Sequence, residues 1–113
     1  MPTITLDSPS ALVVRLRSRT EAMTVIEVAG EVDMDNAAQL LHEVTTLLPG
    51  DGDVALDLAA VTFLGSAGVL TLLRCREIAE RRTTRLAISR AHRNVRQVLD
   101  ICALTEMFHL TAA

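Results

Sequence analysis

The first thirty residues alternate between apolar and polar side chains in a way that predicts two strands. Between residues 12 and 16, every second side chain is leucine or valine, which is the period of a half-buried strand. Residues 18–22 form a polar turn, and residues 23–29 are rich in the β-branched side chains that favour a second strand. Gly30 is expected to end that strand.

Apolar residues then recur at helical spacing in three segments, which predicts three helices. The first helix follows Asp33, Asp35 and Asn36, whose side chains favour helix N-caps, and it ends at a turn in residues 49–52. The second helix covers about residues 66–82 and the third about residues 92–102. The clearest apolar stripe belongs to the first helix and consists of Ala37, Leu40, Leu41, Val44, Leu47 and Leu48.

Short apolar runs between the helices predict the remaining strands. Residues 54–58 are apolar except for Asp57 and indicate a buried central strand, which residues 61–64 either continue or leave through a turn. Residues 86–88 and 107–110 are two further short strand candidates. This order of elements predicts an α/β fold with a mixed central sheet of about four to five strands, packed with three or more helices.

Length and composition fit one domain. Half of the 113 residues are hydrophobic, which is enough for a single core at this size. We expect the domain at residues 11–113, behind a flexible lead-in at residues 1–10. The sequence has neither a signal-peptide pattern nor an apolar stretch of membrane-spanning length, so we expect a cytoplasmic location and no direct membrane insertion.

The charge balance argues against a nucleic-acid partner. The net charge is −3, and the only aromatic residues are Phe63 and Phe108. Phosphate backbones require a basic surface, and single-stranded binders stack bases on aromatic side chains.

No catalytic or metal-binding constellation stands out. Ser66 lacks the G-x-S-x-G frame of a hydrolase nucleophile, so a hydrolase is the least favoured interpretation. The three histidines are far apart and there is no C-x-x-C pair. We therefore predict no enzymatic activity, no metal and no cofactor. Cys75 and Cys102 are expected to be reduced and buried, and Asp57 is expected to bond backbone N–H groups of the next turn.

The start of the second helix carries more apolar surface than one sheet can cover. Val69, Leu70, Leu72 and Leu73 occupy nearly the whole circumference of its first turns. Leu72 belongs to the stripe that faces the core, and at least one of Val69, Leu70 and Leu73 is expected to be exposed near Ser66, where it would contact a partner.

Two motifs in this order resemble the signature of the STAS domain, the fold of bacterial anti-sigma factor antagonists. The segment from Asp57 to Leu70 reads DLAAVTFLGSAGVL, and the earlier segment from Gly30 to Asp33 reads GEVD, followed by Asn36 and an apolar helix. The resemblance covers roughly residues 11–110.

The resemblance implies a function. Antagonists of this family bind an anti-sigma factor that is also a serine kinase, and binding releases the sigma factor. The kinase phosphorylates a serine at the start of the second helix, which ends the binding, and a phosphatase restores it. The matching residue here is Ser66. The expected partner-binding surface around it comprises Asp33, Asn36, Leu64, Gly65, Ala67, Val69, Leu70 and Leu73.

Simpler interpretations stay open for these residues. Ser66 is also a good helix N-cap, and Asp33, Asp35 and Asn36 are suited to capping the first helix. The family often has aspartate before the serine, where this chain has Gly65. That departure favours an alternative function, a STAS subunit of a lipid-transport ABC system or a signalling scaffold without phosphorylation. A monomer or weak dimer is expected.

Overall fold

The strands and helices follow the order expected from the sequence. The structure, a computed structural model, describes residues 11–110, so the predicted lead-in lies outside the described residues. The elements within that range are β1 Val13–Arg19, β2 Met23–Val32, α1 Ala37–Leu47, β3 Asp53–Leu64, α2 Ser66–Arg81, β4 Leu86–Ala91 and α3 Arg93–Ile101.

The four described strands form one mixed sheet in the order β1-β2-β3-β4. β1 and β2 are antiparallel and are joined by a tight turn, whereas β2, β3 and β4 are parallel neighbours. Parallel neighbours need long crossover connections, which α1 and α2 provide. The predicted α/β fold, with a mixed sheet and three helices, is confirmed.

The core is built by the sheet and the three described helices, and α3 contributes Val95 and Leu99, which are completely buried. Ile26, Leu56 and Ile88 are in register on neighbouring strands and are almost completely buried. α1 packs on β1 and β2, α2 packs on β3 and β4, and the two helices pack on each other. The predicted central strand at residues 54–58 is confirmed, since Val54 and Leu58 are also buried.

Two strand predictions were wrong. β2 does not end at Gly30 but continues to Val32, because Gly30 adopts a φ of +113° inside the strand. A Cβ atom at that position would collide with the backbone carbonyl of Ala11, so only glycine fits. Residues 107–110 form a turn, although the Phe108 carbonyl accepts one strand-like hydrogen bond from the Ile88 N–H, at 2.9 Å.

The cysteines differ in environment. Cys75 is buried in the core, and burial raises the pKa of its thiol to about 12. The prediction that Cys102 is buried was wrong, because this residue follows the end of α3 and is exposed. Both thiols are free.

Candidate functional site

Ser66 is the first residue of α2 and lies at the point where β3 ends. The chain turns there through Gly65, whose N–H donates to the carbonyl of Val32 at 2.9 Å. The Gly65 carbonyl accepts from the N–H of Val69 at 3.0 Å, which closes the first turn of the helix. These bonds fix the junction against the end of β2 and leave the Ser66 side chain exposed.

The interpretation of Ser66 as a helix cap was wrong. Gly65 occupies the N-cap position, and α2 has no side-chain cap. Within residues 11–110, the Ser66 hydroxyl has no hydrogen-bond partner. The first N–H groups of any α-helix have no acceptor within the helix, so those of α2 remain available beside the hydroxyl.

Gly68 allows α2 to start this close to the sheet. A Cβ atom at that position would lie 2.5 Å from Leu64 Cδ1 and 2.8 Å from Val32 Cγ1. Both side chains are buried, so neither has room to move aside. The absence of a side chain at position 68 therefore sets the distance between the helix start and the ends of β2 and β3.

The loop between β2 and α1 runs beside this junction. The Asn36 Oδ1 atom accepts from the N–H of Asp33 at 3.0 Å, and its Nδ2 group donates to the carbonyl of Glu31 at 2.8 Å. Asp33 Oδ1 accepts from the N–H of Asp35 at 2.9 Å. The capping prediction is confirmed for the position of Asn36, which is the N-cap residue of α1, but it was wrong about the side chain, which makes no cap hydrogen bond. Asp33 and Asn36 instead hold the loop in one conformation.

The predicted partner-binding residues divide into exposed, half-buried and buried groups. Leu70, one turn after Ser66, is 64% exposed. Asp33, Asn36, Gly65, Ala67 and Leu73 are half-buried. Leu64 and Val69 belong to the core, so they lie beneath the exposed surface and pack against the residues that form it.

Sequence reasoning missed two exposed apolar side chains in the same region. Met34, in the β2–α1 loop, is 82% exposed, and Phe63, at the end of β3, is 50% exposed. Phe63 borders Gly65, since a Cβ atom at Gly65 would lie 3.3 Å from the Phe63 ring. The sequence signal that could have revealed them is a large apolar residue next to a predicted turn, as Met34 is beside Asp33 and Phe63 is before Gly65. We call Met34, Phe63 and Leu70 the apolar collar of Ser66.

A groove of about 720 Å³ begins beside the collar and follows the seam between the first two helices. Ala37 and Leu41 of α1 form one wall, and Ala67, Leu70 and Leu73 of α2 form the other. The far end is polar and includes Arg74 and Glu77. This arrangement can bind an apolar segment of a partner.

Asp57 organises a second, polar cluster. Its carboxylate is buried, and its Oδ2 atom lies 2.7 Å from Arg17 and 2.8 Å from Arg90, while its Oδ1 atom accepts from the N–H of Ala59 at 3.0 Å. The predicted bond to the following backbone is thus confirmed, whereas the two arginines were not foreseen. Burial raises the pKa of Asp57, but the bonds from Arg90 and Ala59 and the charges of both arginines outweigh it, so the pKa is lowered overall.

This lowered pKa predicts a loss of stability in acid. A carboxyl group whose pKa is lower in the folded state stabilises the fold above its ordinary value of 3.8, and that contribution disappears as the pH falls through the folded-state value. Urea unfolding measured from neutral to strongly acidic pH should therefore show that the free energy of unfolding of wild type exceeds that of Asp57→Asn. This difference should shrink as the pH falls below 3.8. Asp53→Asn, which removes an exposed carboxylate of the same strand, is the matched control. Parallel stability curves for wild type and Asp57→Asn would contradict the prediction.

The fold and the site together define an α/β domain that presents an exposed serine at a helix start. The chain matches the family model described as "Mlab, STAS domain" over residues 15–111. It therefore belongs to the STAS-domain family.

Three solved structures with the same fold illustrate what this chain is similar to. An anti-sigma factor antagonist from Mycobacterium paratuberculosis matches with a TM-score of 0.78 and 24% identity, over 96% of this chain and 92% of that chain. The unphosphorylated anti-sigma factor antagonist SpoIIAA matches with a TM-score of 0.69 and 21% identity, over 83% of this chain and 84% of that chain. The Bacillus cell fate determinant SpoIIAA in its phosphorylated form matches with a TM-score of 0.62 and 21% identity, over 83% and 86% of the two chains. At these identities, the likeness concerns the fold.

Other comparisons and searches gave negative results. No curated protein matched the chain. Within residues 11–110, no helix is long and apolar enough to cross a membrane, and no group of three or more metal-binding side chains occurs.

Proposed function

We propose that this chain is a cytoplasmic anti-sigma factor antagonist without catalytic activity of its own. It binds an anti-sigma factor that is also a serine kinase, and this binding frees the sigma factor. Phosphorylation of Ser66 ends the binding, and a phosphatase restores it. The observation that carries the proposal is the exposed Ser66 hydroxyl, which has no hydrogen-bond partner in the described chain and lies at the same junction as the exposed side chains of Phe63 and Leu70.

The collar and the groove supply the binding energy. Leu70, Phe63 and Met34 lose exposed apolar area when a partner covers them, at about 25 cal/mol for each Å² buried. The underlying loop and junction are already fixed by hydrogen bonds, so little conformational entropy is lost on binding.

A phosphate on Ser66 acts differently on the free chain and on the complex. In the free chain, it meets the uncapped N–H groups and the positive end of the α2 dipole, so it is tolerated. In the complex, it adds about two negative charges to an apolar contact, where unpaired charge is costly. The neighbouring loop carries Asp33 and Asp35, and Glu31 lies at the end of β2 just before it, so no cation of that segment compensates the phosphate. The affinity falls without refolding.

Mass spectrometry after incubation with a candidate kinase anti-sigma factor and ATP tests the proposal. Wild type should gain one phosphate on Ser66 and then lose its affinity for the kinase. Ser66→Ala should bind and resist inactivation, whereas Ser66→Asp should bind poorly because its carboxylate supplies part of the phosphate's charge. A Ser66→Asp variant that binds as well as wild type, with phosphate uptake by Ser66→Ala, would refute the switch.

The second candidate is a STAS subunit that regulates a lipid-transport ABC system or acts as a signalling scaffold. Gly65 favours it, because the chain lacks the aspartate that often precedes the serine in antagonists. The description of the matching family model names a STAS domain without naming an anti-sigma factor. In this case, the collar and the groove still bind a partner, but Ser66 is not modified.

Co-purification from the native host separates the two candidates. If the chain is an anti-sigma factor antagonist, wild type should co-purify with a serine-kinase anti-sigma factor that ATP releases. If it is a transporter subunit, wild type should co-purify with a transporter ATPase, and ATP should add no phosphate to Ser66. A partner that binds Leu70→Asp as well as wild type would contradict both, because both use the same surface.

A further inference from the structure

The sheet face opposite α1 and α2 carries a row of charged side chains that crosses all four described strands. Arg15 is in register with Glu27, Glu27 with Asp57, and Asp57 with Arg90. Arg17 lies at the bulge of β1 beside this row. These residues alternate along their strands with the core positions that contact α1 and α2, so they point away from those two helices.

Asp57 holds two guanidinium groups on one oxygen atom. Its Oδ2 atom accepts from Arg17 Nη1 at 2.7 Å and from Arg90 Nη2 and Nε at 2.8 and 3.2 Å. The Asp57 side chain is only 3% exposed, so the carboxylate lies beneath the arginines rather than beside them. A fixed anion below therefore positions two cations above it.

Most of the donor capacity of these arginines stays unused. A guanidinium has five N–H donors, and Asp57 takes two from Arg90 and one from Arg17. The Arg17 and Arg90 side chains are 49% and 61% exposed, so their remaining donors face solvent. Glu27 belongs to the same row, with its Oε1 atom 2.6 Å from Arg15 Nε and its Oε2 atom 3.9 Å from Arg17 Nη1. The three arginines of the row therefore face two carboxylates, which leaves one positive charge in excess at this point of the face.

We propose that Arg17 and Arg90 form a binding site for a phosphate-type oxyanion, with Arg15 at its rim. The two nitrogen atoms on Asp57 Oδ2 lie at most about 5.5 Å apart, so one anion with several oxygen atoms can contact both guanidinium groups. Planar guanidinium groups match the geometry of phosphate oxygens. Because Asp57 already orders the arginines, an anion loses little affinity to side-chain ordering. The site is separate from Ser66 and does not depend on the proposed function.

Nuclear magnetic resonance of the arginine Nε–Hε groups tests the site directly. Titration of the full chain with inorganic phosphate, against sodium chloride at equal ionic strength, should shift the Arg90 signal with a dissociation constant on the order of 1 mM. Arg90→Gln should weaken binding about tenfold when the titration is followed at the Arg17 signal, as expected when charge-assisted bonds are lost. Arg81→Gln, an equal charge change on α2, should bind as wild type does.

A vesicle experiment identifies the source of the phosphate group. Binding to phosphatidylglycerol vesicles but not to phosphatidylcholine vesicles, weakened by Arg90→Gln and not by Arg81→Gln, would assign the site to a lipid headgroup. Phosphate-dependent shifts without vesicle binding would assign it to a free phosphate compound. The proposal is overturned if phosphate gives no saturable shift, or if the shifts are as large at Arg81 as at Arg90. Arg17→Gln serves as the second variant, so a fold defect in one of the two does not decide the result.

Discussion

Replacing Leu70 with aspartate is expected to weaken partner binding at least about 30-fold while leaving the fold intact. Leu70 is the most exposed apolar residue of α2 and lies at the entrance of the groove, so a partner that binds there must bury it. A charge at the centre of an apolar contact costs a few kcal/mol, comparable to the loss of a binding hot spot. Stability should change by less than about 0.5 kcal/mol, as is usual at an exposed position.

Ile101→Asp is the matched control for this substitution. Ile101 is 77% exposed at the end of α3 and does not line the groove. Affinity for the partner, measured by calorimetry, should fall for Leu70→Asp alone. Equal losses in the two variants would show that general surface charge, and not the groove, controls binding.

Replacing Gly68 with valine is expected to destabilise the domain by about 3 kcal/mol, the upper end of the usual range for overpacking. The new side chain would start in contact with Leu64 and Val32, which are both buried. The helix must then move away from the ends of β2 and β3, which opens the core. Thermal unfolding should show a fall of roughly 10–20 °C in Tm.

Gly50→Val controls for the loss of glycine itself, since a Cβ atom at Gly50 meets nothing within 4 Å. Its Tm should stay close to that of wild type. If Gly68→Val keeps its Tm as well, the junction is looser than the close approach of α2 to Leu64 and Val32 implies.

Most of the fold could be predicted from local patterns. The α1 stripe reflects contact with one sheet face, which imposes a helical period on the sequence, and the apolar run of β3 reflects a central strand that is buried on both faces. The end of β2 was predicted wrongly at Gly30, because this glycine takes a positive φ inside the strand. The close approach of the Ala11 backbone, from a distant part of the same chain, requires a glycine there, and no local pattern reveals it.

The site was harder to predict because its details depend on residues far apart in the sequence. Ser66 was a plausible cap until the structure placed Gly65 at the cap position, a shift of one residue that local preference does not resolve. The bonds of Asp57 to Arg17 and Arg90 join three strands across the sheet. Charged pairs of this kind leave no spacing signal, since their partners meet only through strand register.

The parallel pairing of β2 and β3 has a consequence for how the chain is recognised. Because the two strands run in the same direction, the loop with Asp33 and the junction with Ser66 lie at one edge of the sheet, although the whole of α1 separates them in the sequence. In an unfolded chain, these two segments have no fixed separation. A protein that contacts both segments therefore binds only chains whose sheet has assembled, so such recognition also distinguishes folded copies from nascent or misfolded ones.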